Sequence, residues 1–372
     1  MKDKVLVAMS GGVDSSVTLL RIIEMGYEAI GITMKLWEYK NFGGNNLQEN
    51  NCCAVSSINK AKLVCERMGV PHYTIDFTDN FKENVVDNFV DEYLNGRTPN
   101  PCVRCNSFIK WDTFIEQAKI LGAKYIATGH YAQIEKNNNN YFIKQGVDKR
   151  KDQSYVLWGI PKETLSRTIL PLGELTKEEV RQIARDNKLE TAEEPESMEI
   201  CFIADNNYKR FINEYAPDKV AKIKDGKTLN EDGDKIGNND GYINYTIGQR
   251  KGIKISSNKP LFVININADE NTIIVGEKEN LEIKEIKLRE LNILAQKKEF
   301  NDIVNIKVRS TGRLLKANVD LKENFALVKI IDKEIGVSPG QACVFYSKDN
   351  FGDKVLGGGW IDKTINNNYP LS

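Results

Sequence analysis

The sequence predicts an α/β protein: a parallel sheet with helices on both faces, followed by two small β-rich segments. Three features carry that prediction. Strand-like and helix-like stretches alternate from Lys4 to Ala127. A Ser-Gly-Gly turn joins the first strand to the first helix. From about Tyr215 the texture changes, and glycines punctuate short apolar runs. Strands separated by helices of this length imply a parallel sheet. The expected segments are 1–214, 215–283 and 284–372.

Taken in order, Val5-Leu6-Val7-Ala8 is a short apolar strand, and Val13 to Met25 a helix ended by Gly26. Ala29 to Met34 is a second strand, and Ala54 to Met68 a helix that stops at Gly69-Val70-Pro71. His72 to Phe77 is a third strand, followed by a helix from Asn80 to Leu94. Phe108, Trp111, Phe114, Ala118 and Leu121 recur at helical spacing, and Tyr125-Ile126-Ala127 is another strand. Later strand-like runs are Leu261 to Ile264, Thr272 to Val275, Ile303 to Arg309, Ala326 to Ile331 and Ala342 to Tyr346. In parallel sheets, ligands bind beyond the carboxyl ends of the strands, where the first turn lies.

With 372 residues the chain is too long for one small core. No apolar run approaches the ~18 residues of a membrane span. The apolar stretch before Ser10 is short and reads as a strand, not a signal peptide, so the cytoplasm is the expected address. The 52 basic and 52 acidic residues balance, which neither demands nor excludes a nucleic-acid partner. Two histidines, His72 and His130, exclude zinc sites built on three or more histidines. Seven cysteines, an odd count in a long chain, fit poorly with a disulfide framework and suggest that some thiols are chemical.

Ser10-Gly11-Gly12-Val13-Asp14-Ser15-Ser16 follows a buried strand and opens a helix. Gly11 and Gly12 let the backbone approach an anion, and the first helical amides have no intrahelical partner. Ser10, Ser15 and Ser16 add hydroxyl donors, and Asp14 is placed to cap the turn or to help hold Mg²⁺. A Walker A loop would carry a lysine after its last glycine. A loop without that lysine suits chemistry that releases pyrophosphate and leaves AMP on an acceptor. A plain Gly-Gly turn is the bland alternative, and the full string argues against it. The string resembles the PP-loop ATP pyrophosphatases, which activate carbonyl oxygens by adenylation.

Pro99-Asn100-Pro101-Cys102-Val103-Arg104-Cys105-Asn106 is the second informative segment. Asn106 is expected to cap the helix that carries Trp111, which puts Cys105 just before a helix N-terminus. The helix dipole and Arg104 would then favour a thiolate. Cys201 lies between Ile200 and Phe202, and from spacing alone it reads as a core thiol. Cys102, Cys105 and Cys201 could instead hold an iron–sulfur cluster with one open iron. Cys65 and Cys343 read as core residues, and Cys52 and Cys53 have no assigned role.

Taken together the segments resemble the tRNA-specific 2-thiouridylases. The likeness includes Met34-Lys35-Leu36-Trp37, Gly96 to Cys102, Ala127 to Ala132, Lys151 to Tyr155, Ile200-Cys201-Phe202, Tyr245 to Gly252, Ser338 to Gln341 and Leu356 to Gly359. The resemblance implies a PP-loop domain, a small central domain and a C-terminal β-barrel. It implies ATP contacts from Ala8, Met9, Ser10, Gly11, Gly12, Val13, Asp14, Ser15, Met34 and Gly129, and target-base contacts from Asn100, Pro101 and Cys102. It implies tRNA contacts from His130, Lys151, Asp152, Gln153, Arg309, Ser310 and Gln341. Cys105 would be the nucleophile and Cys201 the persulfide carrier. Two departures stand out: some relatives have Asp where Cys102 stands, and Ser310 stands where an aromatic residue is common.

The implied reaction is adenylation of the C2 oxygen of the wobble uridine by ATP. Sulfur from a Cys201 persulfide, loaded by a cysteine desulfurase or relay protein, then replaces it. Cys105 and Cys201 would end as a disulfide, which needs their Cα atoms within about 7 Å in some state. The base would have to leave the anticodon stack. Two other readings stay open. One is a PP-loop amidation enzyme, which would need neither cysteine. The other is an RNA-binding protein with a cluster on Cys102, Cys105 and Cys201.

Overall fold

The computed structural model describes residues 2–38, 55–138, 140–195, 200–203, 205–347 and 353–365. These group into two compact units. One comprises the described residues within 1–86, 101–207 and 353–355, and the other those within 87–100, 208–352 and 356–372. Cys52 and Cys53 lie outside the described residues.

The first unit is built on a sheet of five strands: β1 (Lys4–Ala8), β2 (Glu28–Lys35), β3 (His72–Asp76), β4 (Tyr125–Ala127) and, further along, Thr168–Ile169. All pairings are parallel, and the order is β3-β2-β1-β4 followed by Thr168–Ile169. The expected parallel sheet is therefore present. Val5, Leu6 and Val7 are fully buried because β1 sits at the centre with neighbours on both edges. Helix α1 (Val13–Glu24) places Leu19 and Ile22 in the same cluster as Val5, Val7 and Ala29. Helix α2 (Val55–Arg67) adds Ala61, Val64 and Cys65. Cys65 is thus a core residue, and burial pushes its thiol up to about 12.

An antiparallel hairpin, β5 (Ala132–Asn137) with β6 (Asn140–Gln145), follows β4. Helix Lys177–Asp186 starts with a capping box between Thr176 and Glu179, a signal present in the sequence as Thr-Lys-Glu-Glu. Its Val180 and Ala184 pack with Val13 and Val17 of α1.

The second unit holds a four-stranded sheet and a closed barrel. In the sheet, β10 (Phe262–Asn267), β11 (Thr272–Gly276), β8 (Gly226–Leu229) and β9 (Lys235–Asn239) lie in that order, counting Thr168–Ile169 as β7. Tyr242–Asn244, between those strands, forms a short 3₁₀ turn. The barrel order is β12 (Glu282–Ile293), β15 (Phe325–Ile335), β14 (Leu315–Leu321), β13 (Val304–Lys307), β16 (Ala342–Tyr346) and β17 (Val355–Ile365). Its interior is filled by residues such as Ile286, Leu288, Ile306, Val328, Cys343 and Phe345, so closure removes every strand edge and leaves a packed core. Burial pushes the Cys343 thiol up, in keeping with a core role.

Residues 87–100, which precede the cysteine segment, pack with the second unit. Among the described residues no helix is long and apolar enough to cross a membrane.

Leu19 is fully buried in the sheet core. Leu19→Ala should lower the free energy of unfolding in urea by roughly 2–5 kcal/mol, whereas Leu19→Met should cost less than about 1.5.

Candidate functional site

Two loops meet where the strand order reverses. β1 pairs with β2 on one side and β4 on the other, so the turn after β1 and the turn after β4 open into one crevice. A cavity of about 230 Å³ occupies it. Ala8, Met9, Ser10, Asp14 and Ser15 line it from the first turn, Met34 and Leu36 from β2 and its end, and Thr128, Gly129 and His130 from the turn after β4. Lys110 and Gln153 complete the wall.

Two glycines make close approaches, and at Gly11 the backbone admits no side chain. Gly11 has φ +80°, and a Cβ there would lie 2.4 Å from the Ser57 carbonyl oxygen. Gly129 lies against the first turn of α1, where a Cβ would be 3.1 Å from the Asp14 carbonyl carbon. Gly12 precedes α1 with extended backbone and makes no side-chain cap, so the first helical amides keep no side-chain acceptor from that residue.

The serines divide. Ser10 is exposed, and its hydroxyl donates to Ser15 Oγ at 3.3 Å. Ser15 donates to the Gly12 carbonyl at 3.0 Å. Ser16 is fully buried, donates to the same carbonyl at 3.0 Å and accepts from the Thr191 hydroxyl at 2.9 Å. Ser16 therefore holds the helix in place, and its expected service as a ligand donor is corrected.

Asp14 does not cap the turn either. It is the second residue of α1, and its carboxylate turns outward to Lys177 and Tyr131. Lys177 Nζ donates to both oxygens at 2.8 and 2.9 Å, and the Tyr131 hydroxyl donates to Oδ1 at 2.7 Å. Lys177 is a residue the sequence reading missed. The Thr176 capping box was the available signal for its helix, but nothing local points the lysine at Asp14.

His130 is expected as a tRNA contact, and the structure places it in the cavity wall with only 7% exposure. Nδ1 is hydrogen-bonded to the Thr128 hydroxyl at 2.7 Å, and the ring packs against Trp111 at 5.6 Å. Burial first, and the Lys110 charge second, hold its imidazole well below the ordinary range. It is neutral at pH 7. Gln153 lines the same wall and accepts from the Tyr131 amide at 3.0 Å. Asp152 accepts from the Gly146 and Ser154 amides, each at 3.1 Å, and so shapes the loop that carries Lys151.

The cysteine segment corrects a further expectation. The helix does not begin after Cys105. It begins at Pro101, continues as a wider π-type stretch over Cys105–Thr113, and ends as Phe114–Ile120. Proline at the first helical position loses no hydrogen bond, and Asn100 before it is steered away from helix. The first-turn position, where the dipole is felt most, therefore belongs to Cys102 and not to Cys105. Asn106 is buried, and its amide donates to the Val156 carbonyl at 3.2 Å instead of capping. Arg104 stacks over the Phe108 ring at 5.4 Å.

The thiols sit in different surroundings. Cys102 is exposed, Cys105 buried and Cys201 half-buried. The expectation of a core position for Cys201 is thus corrected. Its neighbour Phe202 is the one in the core, against Trp37 at 6.1 Å and Phe81 at 5.8 Å. Among the described residues, no group of three or more His, Cys, Asp or Glu side chains is arranged to hold a metal ion.

In the second unit, Arg309 and Ser310 are exposed just beyond β13. Arg309 donates to Glu334 and to the Ile335 carbonyl, both at 2.8 Å. Gln341 follows the Ser338-Pro339-Gly340 turn and is half-buried.

A Gly-Gly turn at the switch point of a parallel sheet, with an apolar wall from Met34 and Leu36, defines an ATP-using enzyme of the PP-loop class. The tRNA methyl transferase HUP domain family matches residues 3–205, the corresponding PRC-barrel domain residues 209–277, and the aminomethyltransferase beta-barrel domain residues 283–361. The tRNA-specific 2-thiouridylase MnmA of Amoebophilus asiaticus is 42% identical over 367 residues, covering 97% of this chain and 95% of that protein. That of Cytophaga hutchinsonii is 40% identical over 368 residues, covering 98% of each. That of Natranaerobius thermophilus is 42% identical over 369 residues, again covering 98% of each. The chain belongs to the tRNA-specific 2-thiouridylase family.

His130 gives a pH test. Its folded-state affinity for a proton is depressed, so the stability tied to its neutral form is present above pH 6.5 and lost as pH falls below it. His72 is depressed in the same direction by burial and then by Lys62. Unfolding free energy should therefore fall with pH less steeply in His130→Asn than in the wild type, by up to about 1.4 kcal/mol per pH unit.

Proposed function

We propose that this protein is an ATP-dependent tRNA-uridine 2-sulfurtransferase. It adenylates the C2 oxygen of the wobble uridine and replaces that oxygen with sulfur. The observation that carries the reading is the switch-point cavity whose wall includes Lys110, on the same helical run as Cys102 and Cys105. A family description that mentions methyl transfer fits less well. A methyl donor gives no use to an adenylating turn or to thiols in chemically distinct surroundings.

ATP is the co-substrate. Its phosphates lie on the turn from Ala8 to Ser15, with adenine toward Met34 and the floor closed by Gly129. Mg²⁺ goes with the nucleotide's own phosphates, with hydroxyl oxygens from Ser10 and Ser15 beside them, since both Asp14 oxygens are engaged by Lys177. When bound, the ion supplies neutralisation of phosphate charge. Nothing in the arrangement of Cys102, Cys105 and Cys201 favours a cluster, since no metal-ligand group forms among the described residues.

The uridine C2 oxygen attacks the α-phosphorus and pyrophosphate leaves. Cys201 carries the sulfur as a persulfide loaded by a desulfurase or relay protein. Its terminal sulfur bonds to C2. Cys105 then attacks the Cys201 sulfur, forming a Cys105–Cys201 disulfide and releasing the new sulfur as the thiocarbonyl, while AMP leaves from C2. The two electrons that reduce the transferred sulfur come from the pair of thiols, and an external dithiol restores them. Asn100, Pro101 and Cys102 meet the target base. Cys102, exposed in the first helical turn, is the candidate proton-transfer group where relatives carry Asp. Lys151, Asp152, Gln153, Arg309 and Ser310 lie toward tRNA, with His130 presenting its side chain from inside the cavity. Three functional segments, 1–214, 215–283 and 284–372, go with this reading, beside family matches over residues 3–205, 209–277 and 283–361.

Incubation of tRNA with protein, ATP, Mg²⁺ and a sulfide or desulfurase source should retard the tRNA in a mercury-affinity gel. Unshifted tRNA under every sulfur supply rules the reading out. Cys105→Ser and Cys201→Ser should each lower desulfurase-driven thiolation by roughly a hundredfold or more while leaving ATP binding intact. Full activity in Cys201→Ser would remove the persulfide role.

A further inference from the structure

Between the 3₁₀ turn Tyr242–Asn244 and β10, the second unit carries Thr246-Ile247-Gly248-Gln249-Arg250-Lys251-Gly252, a loop with two adjacent cations at its tip. The loop is held from several sides. The Gly248 amide donates to the Val263 carbonyl at 2.8 Å, and the Val263 amide donates back to the Gln249 carbonyl at 2.9 Å. Gln249 also locks its own neighbours. Its Oε1 accepts from the Thr246 amide at 3.1 Å, and its Nε2 donates to the Lys251 carbonyl at 2.9 Å. Ile253, two residues beyond Lys251, is buried. The backbone under Arg250 and Lys251 is thereby fixed before any ligand arrives, which lowers the ordering cost of binding.

Both cations are exposed, and among the described residues neither side chain has an ion-pair or hydrogen-bond partner. Nearby lysines differ: Lys254 is paired with Asp240 at 2.6 Å, and Lys259 with Glu277 at 2.5 Å. Arg250 lines a cavity of about 570 Å³ with Lys259, Lys278, Phe262, Glu277 and Glu279, three cations to two carboxylates. Two unanswered cations on a stiff loop fit a ligand that brings negative charges at close, regular spacing, as a phosphate backbone does.

The loop also adjoins a second basic segment. Gly248, at φ +86°, faces Gly336, whose Cα lies 3.6 Å from where a Gly248 Cβ would stand. The residue before Gly336, Ile335, gives its carbonyl to Arg309 Nη2 at 2.8 Å. Glu334 is shared by Arg309 at 2.8 Å and Arg313 at 3.7 Å, so one carboxylate answers two guanidinium groups. All of these residues belong to the second unit, and Arg309 is already assigned to tRNA above.

We propose that Arg250 and Lys251 bind phosphates of the tRNA backbone and carry the Arg309 contact onto the four-stranded sheet. Such contacts hold the RNA in place and read no base. The proposal rests on the tRNA reading. RNA is favoured over an acidic polypeptide because the adjoining Arg309 is itself a tRNA residue in that reading.

The test is tRNA affinity of the full chain by filter binding, measured from about 50 to 200 mM salt, with polyglutamate binding measured beside it. Arg250→Gln and Lys251→Gln should each reduce the salt slope of log affinity by roughly one, and together weaken binding roughly tenfold or more near 100 mM salt. Arg250→Lys keeps the charge and should keep the slope. Lys254→Gln removes an equal charge from the same surface, but one that Asp240 already answers, and should leave the slope unchanged. A wild-type slope in the double variant overturns the proposal. So does an equal fall with Lys254→Gln, which marks general loss of charge and not contact. Wild-type tRNA slopes together with lost polyglutamate binding would give the loop to an acidic polypeptide, which also overturns it. Should the double variant not fold, the two single variants decide by the same slopes. A wild type that shows these slopes yet thiolates nothing under any sulfur supply refutes the thiolation reading and leaves the RNA contact standing.

Discussion

The central position of β1 is the constraint on which the site depends. Paired in parallel with β2 and β4, it cannot shift without breaking two ladders, so the chain leaving Ala8 always turns at the same point. Strand order reverses there, and the loops after β1 and β4 have to share one crevice. Two close backbone approaches then set its shape, Gly11 on Ser57 and Gly129 on Asp14. The cavity is a product of sheet order and of missing Cβ atoms more than of the polar residues around it.

Charge at that turn is supplied from afar. The loop has no lysine of its own, but Lys177 brings an ammonium group to both oxygens of Asp14 from a helix 163 residues later. Tyr131 adds a third hydrogen bond. Lys177 is largely withdrawn from water, with its side chain 11% exposed, so removing Asp14 would leave a poorly solvated ammonium group. The interaction ties the packing of helix Lys177–Asp186 against α1 to the geometry of the turn.

Burial separates the cysteines by chemistry. Cys65 and Cys343 are enclosed by apolar neighbours that raise the cost of a thiolate. Cys102 opens a helix at the surface, and Cys201 is held at the edge of the core by Phe202, which packs on Trp37 and Phe81. A cysteine between Ile and Phe looked like core from its neighbours alone. One of those neighbours, Phe202, is the core residue, and it serves as the anchor.

The sequence by itself determined what depends on short range. The periods of β1, α1 and β2, the Gly-Gly turn and the closing apolar runs of the barrel are all set by residues a few positions apart, where sterics and side-chain alternation act. Only the tertiary structure decided the rest. It turned Asn106 inward to Val156, buried Ser16 under Thr191 and drew residues 87–100 into the second unit. Each of these is settled by a partner at least 50 residues away or by the packing of a whole unit. Local spacing carries no record of such partners, because the hydrogen bond or desolvation that selects them exists only once the chain has closed upon itself.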